Sequence, residues 1–196
     1  MALRLASRSA ARRAMLEAAA VPFTEAHSSI DEEALKQDLR TRKLSPRQVA
    51  LALAEAKALA ADAPGDTILG ADQTLELADE SLLDKATSRK VAREHLLRMS
   101  GQTHYLHSAA VLVEQGGVTW SGSETVEMKM RLLSAEFINA YVDTEFDQIR
   151  WCVGGYLIEG KGVQLFESIK GSHFAILGLP LLPLLSALRQ RGILRT

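Results

Sequence analysis

The sequence predicts an α/β protein built on a mixed β-sheet, and three observations support this. Helix start signals recur along the chain, because Ser9, Ser45, Ser88 and Ser134 each precede a helical apolar pattern. Strands alternate with helices in the first half, whereas strand patterns follow one another directly in the middle. No repeat, low-complexity tract or linker divides the chain, so we expect a single domain over residues 1–196.

The first half alternates between the two kinds of element. Ser45, Pro46 and Gln48 form a helix start with a capping box. The apolar residues before Asp72 indicate a buried strand, with the Asp72 carboxylate placed where that strand ends. The predicted elements are a strand at residues 3–6, a helix at 10–19, an extended segment at 21–23, a helix from Pro46, a strand at 67–71 and a further extended segment at 73–77.

The second half is richer in strand patterns. Gln115, Gly116 and Gly117 predict the turn of a hairpin, and Gly192 predicts the end of the last helix. The predicted elements are a helix at 88–99, strands at 104–113 and 118–123, an alternating segment at 126–132, a short helix ending near Tyr141, strands at 149–153, 156–158 and 163–169, an extended segment at 174–177 and a helix at 180–191.

Composition narrows the function classes. The formal net charge of −1 argues against nucleic-acid or acidic-membrane binding, which needs a basic face. No apolar run of about 18 residues is present, so we expect no transmembrane helix. Cys152 is the only cysteine and lies among apolar residues, which favours a small buried hydrophobe over a nucleophile. A reducing, cytoplasmic setting follows from this cysteine usage.

The opening turn, residues 7–13, could bind a polyanion locally. Arg12 and Arg13 lie in the first turn of a helix, where the dipole disfavours cations unless an anion is also bound. The alternative is a solvated basic helix start. Ser7 and Ser9 add hydroxyl donors to the same turn.

Two further groups have a structural and a functional interpretation. The acidic residues 31–33 are either solvated surface or a source of oxygen ligands for a hard cation. Lys57 lies beside the apolar stripe of its helix, from which it reaches either water or a phosphate. The chain contains no P-loop, no G-x-G-x-x-G after a strand, no zinc-ligand spacing and no G-x-S-x-G motif.

Short motifs follow one another in a fixed order along the chain. They are Leu5-Ala6-Ser7-Arg8-Ser9-Ala10-Ala11-Arg12-Arg13, Asp31-Glu32, Ala54-Glu55-Ala56-Lys57-Ala58, Gly70-Ala71-Asp72-Gln73, Lys85, Ser100-Gly101-Gln102-Thr103-His104, Gly155-Tyr156, Glu159-Gly160 and Gly178-Leu179-Pro180-Leu181. This ordered set resembles the motifs of the Maf family of nucleoside triphosphate pyrophosphatases. Two residues depart from the family pattern, since Ala10 and Ala86 stand where the family has proline.

This resemblance implies an ITPase-like fold with an elongated, twisted mixed sheet, two lobes and a central cleft. It implies hydrolysis of nucleoside triphosphates, including modified ones, to the monophosphate and pyrophosphate with Mg²⁺ or Mn²⁺. A homodimer is compatible with this interpretation. The alternative is a nucleotide-binding regulator of septum formation, after which the family was first named, that has lost catalysis.

The resemblance also implies roles for individual residues. Asp72 would accept a proton from the attacking water, and Glu32 and Asp72 would hold the metal ion. Lys57 and Lys85 complete the catalytic set. The implied substrate-binding residues are Ser7, Ser9, Ala11, Arg12, Arg13, Gln73 and Glu159.

Three of these positions distinguish two subfamilies. Gln73 and Glu159 match the group that acts on 7-methyl-GTP rather than the group that acts on dTTP and UTP. Ala11 stands where the 7-methyl-GTP group has tryptophan, so an aromatic stacking platform is missing. We therefore expect a purine-leaning but broader or weaker specificity.

Overall fold

The protein, described over residues 2–195 by a computed structural model, has the predicted mixed α/β architecture. Its strands are β1 (Leu3–Ala6), β2 (Thr24–Glu25), β3 (Thr67–Glu76), β4 (Leu82–Leu83), β5 (Thr103–Glu114), β6 (Gly117–Met130) and β7 (Phe166–Lys170). Its helices are α1 (Ala10–Ala18), α2 (Glu32–Thr41), α3 (Pro46–Leu59), α4 (Arg89–Met99), α5 (Ala135–Ile149), α6 (His173–Ile176) and α7 (Leu181–Gln190), and a 3₁₀ turn occupies Lys161–Leu165.

The described strands form one mixed sheet in the order β2-β1-β3-β5-β6-β7, with β4 paired to β3 outside this path. β1 is parallel to both β2 and β3, and Ala6 lies opposite Gly70. β3 and β4 are antiparallel, as are β6 and β7. Since β1 and β3 are parallel and in this register, the turn after β1 lies beside the residues that follow Gly70.

The chain divides into two compact units. The first unit comprises the chain up to Gln73, His107–Glu124 and the chain from Ser172 onward. The second comprises Thr74–Leu106 and Thr125–Gly171. Whether residues 1–196 behave as a single domain stays a prediction.

The first unit has a core on each face of its strands, as the period-two pattern of β3 requires. Leu69 and Ala71 join one cluster, which includes α1 and α7, while Ile68 joins the other, which includes α3. Gly70 lies on the α3 face, where a Cβ would stand 2.0 Å from the Ala54 carbonyl oxygen. The missing side chain at Gly70 therefore allows α3 to pack directly on the β3 backbone.

The second unit is organised around the pair of helices α4 and α5, which pack against each other. Leu96 and Met99 of α4 are completely buried. Arg93 pairs with Asp143 between the two helices. In the same unit His104 of β5 is buried, with Nε2 lying 2.8 Å from the Tyr156 hydroxyl.

The predicted helix start signals are confirmed. Ser9, Ser45, Ser88 and Ser134 each accept a hydrogen bond from the backbone N–H three residues later. At Ser45 the Gln48 side chain also accepts from the cap N–H, completing the capping box. These signals depend only on neighbouring residues, which is why the sequence identifies them.

Several predicted elements are wrong, mostly after residue 140. The helix that starts after Ser134 continues to Ile149, so the strand predicted at 149–153 is the helix end and a turn. The segment 156–158 is also irregular. Of the strand predicted at 163–169, residues 163–165 lie in the 3₁₀ turn and the remainder lies in β7. The segment 174–177, predicted as extended, lies in and just after α6.

Two differences affect the site. Asp72 lies inside β3 rather than at its end, since the strand continues to Glu76. The acidic residues 31–33, interpreted as solvated surface or as a source of cation ligands, lie at the start of helix α2, which was not predicted, with Asp31 as its N-cap and Glu32 in the first turn. Among the described residues, no helix combines the length and apolar character needed to cross a bilayer.

Candidate functional site

The centre of the candidate site is the ammonium group of Lys57, which lies between two carboxylates. Its Nζ is 3.2 Å from Asp72 Oδ2 and 3.0 Å from Glu32 Oε2. The side chains of Lys57 and Asp72 are 11% and 12% exposed, whereas that of Glu32 is 35% exposed. The structure thus brings together three of the predicted catalytic and metal-binding residues. The second oxygen of Asp72 accepts a hydrogen bond of 2.7 Å from the backbone N–H of Gln73.

Three elements position this group. Asp72 is two residues after Gly70 and therefore projects from the same face of β3, toward α3. Ala54 and Ala58 pack on Gly70, which fixes the depth of α3 and so the position of Lys57. The side chain of Asp31 caps α2 by accepting from the N–H of Ala34, which places Glu32 at the helix start.

Arg12 is a buried cation in the same unit. Its Nε donates to the Gly178 carbonyl at 2.9 Å, and its Nη1 donates to Ser7 Oγ and to the Ala71 carbonyl, both at 3.1 Å. Burial is the largest influence on the pKa of Arg12 and lowers it, whereas Asp72 and Glu32 raise it. An arginine keeps its charge in proteins, so this guanidinium is a fixed positive charge with a set orientation.

The opening turn is built around Arg12. Ser9 Oγ caps α1 by accepting from the Arg12 backbone N–H, and Ser7 Oγ accepts from the Ser9 N–H as well as from the Arg12 side chain. Ala11 is exposed on the first turn of α1. Arg13 pairs with Glu25 at 3.0 Å, and both side chains are partly exposed. The predicted phosphate-binding turn therefore has three arginines in different surroundings, because Arg12 is buried, Arg13 is partly exposed and Arg8 is exposed.

Gln73 lies on the other face of β3 from Asp72. Its Nε2 donates to Ser108 Oγ and to the carbonyls of Ala175 and Ile176, at 2.9 to 3.0 Å. The amide is thus engaged with the α6 segment. Sequence reasoning missed Ser108 and Ile176, because nothing in a local motif connects Gln73 to residues so distant along the chain.

The second unit carries the remaining predicted residues. Lys85 is exposed in the loop between β4 and α4, and its charge lowers the pKa of Cys152 against the larger raising effect of burial. Cys152 is half-buried rather than fully buried, and its raised pKa disfavours the thiolate. Glu159 is exposed in the turn before Lys161–Leu165.

The carboxylates of Glu32 and Asp72 suit a hard divalent cation. Magnesium is commonly held by one or two carboxylates, with water and substrate phosphate oxygens completing its coordination. Residues 2–195 hold no group of three or more His, Cys, Asp or Glu side chains arranged for a metal ion. The donor set therefore fits a metal that arrives with, or is completed by, a phosphate ligand better than an all-protein cage.

Comparison with protein families matches residues 2–191 to the family described as Maf-like protein. The chain belongs to the Maf family. The family predicted from the motifs is thereby confirmed, and the match includes every residue of the Maf motifs named above.

Full-length relatives give the same result. A protein of Sphingopyxis alaskensis named nucleoside triphosphate pyrophosphatase is 46% identical over 195 residues, covering 98% of each chain. A protein of Mesorhizobium japonicum named 7-methyl-GTP pyrophosphatase is 46% identical over 190 residues, covering 96% of this chain and 95% of its own. A Brucella abortus protein of that second name is 44% identical over 188 residues, covering 95% and 94%. This Maf chain therefore resembles relatives with both names.

Proposed function

We propose that this Maf protein hydrolyses nucleoside triphosphates to the nucleoside monophosphate and pyrophosphate. The observation that carries the proposal is the position of Lys57 between Glu32 and Asp72, with the buried charge of Arg12 nearby. The exposed Arg8 is also close, since its Nη2 lies 3.8 Å from Glu32. The two carboxylates offset most of the positive charge of Lys57, Arg12 and Arg8, so a polyanion as highly charged as a triphosphate needs additional positive charge. A triphosphate accompanied by a divalent cation meets that requirement.

Asp72 is the proposed proton acceptor. Hydrolysis of a phosphoanhydride needs a positioned water and neutralisation of charge, and it needs no covalent intermediate. Asp72 Oδ1 is oriented by the Gln73 N–H and Oδ2 by Lys57, so the carboxylate is held in one rotamer. A carboxylate so held can accept the proton of a water that attacks phosphorus.

In this proposal the metal ion and the cationic side chains both bind the phosphates. A divalent ion held by Glu32 and Asp72 would act as a Lewis acid on a phosphate oxygen and orient it. Lys57 shields the two carboxylates from each other before substrate binds, since its ammonium contacts both. Arg12, Ser7 and Ser9 present a cation and hydroxyl groups at the start of α1, where free N–H groups favour anions. Lys85 supplies a further cation in this proposal.

Base preference is proposed to lean toward 7-methylated purines. Three points support this: Glu159 is an exposed carboxylate, the resemblance to the Maf family implies that it lines the base pocket, and relatives at 44–46% identity are named 7-methyl-GTP pyrophosphatase. A carboxylate accepts hydrogen bonds from the guanine N1–H and amine, and it attracts the positive charge of an N7-methylated ring. Ala11 offers no aromatic surface for stacking, which weakens discrimination by about 0.5–2 kcal/mol.

The regulator alternative is not favoured. Lys57 contacts Asp72, Asp72 raises the pKa of Arg12, and the relatives carry the names of enzymes. A housekeeping enzyme for the nucleotide pool would work in the cytoplasm, and the single cysteine agrees with a reducing compartment.

The deciding experiment measures pyrophosphate release from 7-methyl-GTP, GTP, UTP and dTTP, with Mg²⁺, with Mn²⁺ and with excess chelator. We expect metal-dependent release of pyrophosphate and the highest kcat/KM for 7-methyl-GTP. Tight binding of a nucleotide without turnover of any of the four nucleotides would support the alternative that the protein is a non-catalytic regulator. A clear preference for UTP or dTTP would contradict the proposed base preference but not the proposed reaction.

A further inference from the structure

Residues 150–160, here called the Glu159 loop, join α5 to the 3₁₀ turn without forming a helix or a strand. Turns within the loop are closed by local hydrogen bonds, such as the one that the Gly155 N–H donates to the Cys152 carbonyl. Local bonds of this kind do not fix a loop against the rest of its unit. The position of Glu159 therefore depends on side-chain contacts between the loop and its surroundings.

Tyr156 carries this loop into the core of the second unit. Its hydroxyl lies 2.8 Å from Nε2 of His104 in β5, and both side chains are buried. The Tyr156 ring also meets the Phe166 ring edge to face, with the centroids 4.8 Å apart. Aromatic rings pack favourably in this geometry, and a buried hydroxyl needs a hydrogen-bond partner. The pair of His104 and Tyr156 therefore anchors the loop to β5 and β7.

Close backbone contacts couple the rest of the loop to the Tyr156 ring. A Cβ on Gly154 would stand 2.2 Å from a carbon of that ring, and a Cβ on Gly162 would stand 2.4 Å from the Leu157 carbonyl oxygen. The two glycines thus allow the chain to fold tightly around Tyr156. A displacement of the ring would therefore move the backbone on both sides of it, including the part that carries Glu159.

A second tie to the loop is weaker. Lys161 Nζ lies 2.8 Å from Glu145 Oε1 of α5, but the lysine side chain is 61% exposed. Exposed ion pairs contribute little to stability, because water solvates the charges and salt screens their attraction. The buried contacts of Tyr156 therefore constrain the loop more than this ion pair does.

Neither member of the buried pair is suited to proton transfer near neutral pH. Burial lowers the pKa of His104 to about 4 and raises the pKa of Tyr156 well above its usual value. The imidazole is therefore neutral and the phenol is protonated, which suits a lasting hydrogen bond between two uncharged groups. A catalytic acid or base needs a pKa nearer the working pH. The pair thus fits a positioning role rather than acid–base catalysis.

We propose that His104 and Tyr156 are positioning residues that keep Glu159 in place to contact the base, and so set the discrimination among nucleotides. This role rests on the proposed pyrophosphatase function, in which Glu159 accepts hydrogen bonds from the base. The proposed proton acceptor Asp72 and metal ligand Glu32 belong to the first unit. Loss of the anchor therefore weakens binding of a base that Glu159 contacts and leaves the hydrolytic step nearly unchanged.

The test uses the full chain with Tyr156→Phe, which removes the hydroxyl and keeps the aromatic ring. Tyr105→Phe is the matched control, because Tyr105 is the half-buried neighbour of His104 in β5 and projects from the opposite face of the strand. Hydrogen exchange at the amides of Gly155 and Gly160 reports on the loop, since both donate within it. We expect about tenfold faster exchange in Tyr156→Phe and no change in Tyr105→Phe.

Kinetics separate positioning from a general loss of structure. We expect Tyr156→Phe to raise KM for 7-methyl-GTP by about fivefold, to change KM for UTP less, and to change kcat by less than about twofold. In a Glu159→Gln background Tyr156→Phe should have little further effect on either KM, because the residue that it positions is already altered. His104→Gln can still hydrogen-bond the Tyr156 hydroxyl through its amide, so it should have a smaller effect than His104→Leu.

Three results would overturn the proposal. They are unchanged exchange in Tyr156→Phe, an equal loss of kcat/KM for 7-methyl-GTP and UTP, and an undiminished effect of Tyr156→Phe in the Glu159→Gln background. A wild-type chain that hydrolyses no nucleotide would contradict the proposed function, while the exchange rates would still decide whether His104 and Tyr156 anchor the loop.

Discussion

The backbone of Gly70 packs so closely on α3 that an added Cβ would stand 2.0 Å from the carbonyl oxygen of Ala54. The Ala54 carbonyl belongs to the α3 backbone, and the added Cβ would be attached to the β3 backbone. The clash could therefore be relieved only by moving the helix away from the strand. Since Lys57 is carried by that helix and Asp72 by the strand of Gly70, this contact sets the distance between the two charged groups.

Gly70→Ala should therefore reduce both stability and activity. Overpacking of this kind costs about 1–3 kcal/mol, or more where backbone must shift. Thermal unfolding and pyrophosphate release are the measurements. Gly117→Ala is the control, because a Cβ there would lie 3.8 Å from its nearest neighbour. Equal melting temperatures for the two variants would show that α3 does not depend on this contact.

Asp72→Asn should keep the fold and lower turnover by about a hundredfold or more, the loss typical of a missing general base. The amide has the same shape but cannot accept the proton of the attacking water. Single-turnover hydrolysis at saturating Mg²⁺ is the measurement, with the exposed Asp62→Asn as control. A near wild-type rate in Asp72→Asn would assign the base to another residue.

Glu32→Gln should raise the Mg²⁺ concentration needed for half-maximal activity by about tenfold, since one of two proposed carboxylate ligands is lost. Glu33→Gln provides a matched comparison, because Glu33 is the exposed neighbour of Glu32 in the same helical turn. Titration of activity with Mg²⁺ gives both values. Identical metal dependence in the two variants would contradict Glu32 as a ligand.

Arg12→Ala and Lys85→Ala should reduce kcat/KM by a similar factor for every base, because both cations are assigned to phosphate. Arg12→Ala should also lower stability by about 1–3 kcal/mol, since it leaves buried carbonyls without a donor. Lys85 is exposed, so its replacement should leave the melting temperature unchanged. A changed base preference in either variant would place that residue beside the base instead.

Acid should destabilise the protein through His104. Burial lowers the pKa of His104 to about 4, whereas a free histidine titrates near 6.5. The unfolded chain therefore binds the proton first, and stability falls as the pH drops from about 6.5 toward 4, by at most about 3 kcal/mol. Urea unfolding at several pH values should show this loss in the wild type and a smaller loss in His104→Gln. His27→Gln, at an exposed histidine, should follow the wild type.

Much of the fold is predictable because its signals are local. The serine caps at Ser9, Ser45, Ser88 and Ser134 act within one helical turn, and the hairpin turn at residues 115–117 acts within a few residues. The strand predicted at 149–153 failed because its apolar run has no strand partner. Ile149 instead completes the buried face of α5. Apolar runs of that length do not by themselves distinguish a strand from a helix end.

Local signals and tertiary contacts differ in the same way at the candidate site. Asp72, Lys57, Glu32 and Arg12 could be proposed as candidates because each stands in a short motif, and the structure brings them together in one unit. Their hydrogen-bond partners could not be predicted. The acceptor of Arg12 at Gly178 and the donors that hold α6 are tertiary contacts, and no spacing along the chain encodes them.

The contact between Arg12 and Gly178 joins residues 166 positions apart. Synthesis proceeds from the N-terminus, so the opening turn is made 166 residues before this acceptor. Until then the Arg12 guanidinium lacks one of the acceptors that orient it, and Leu3 and Leu5 lack α7, against which their cluster packs. A nascent chain, or one terminated before Gly178, would thus lack this acceptor for Arg12, and we expect such a chain to be unable to hydrolyse nucleotides.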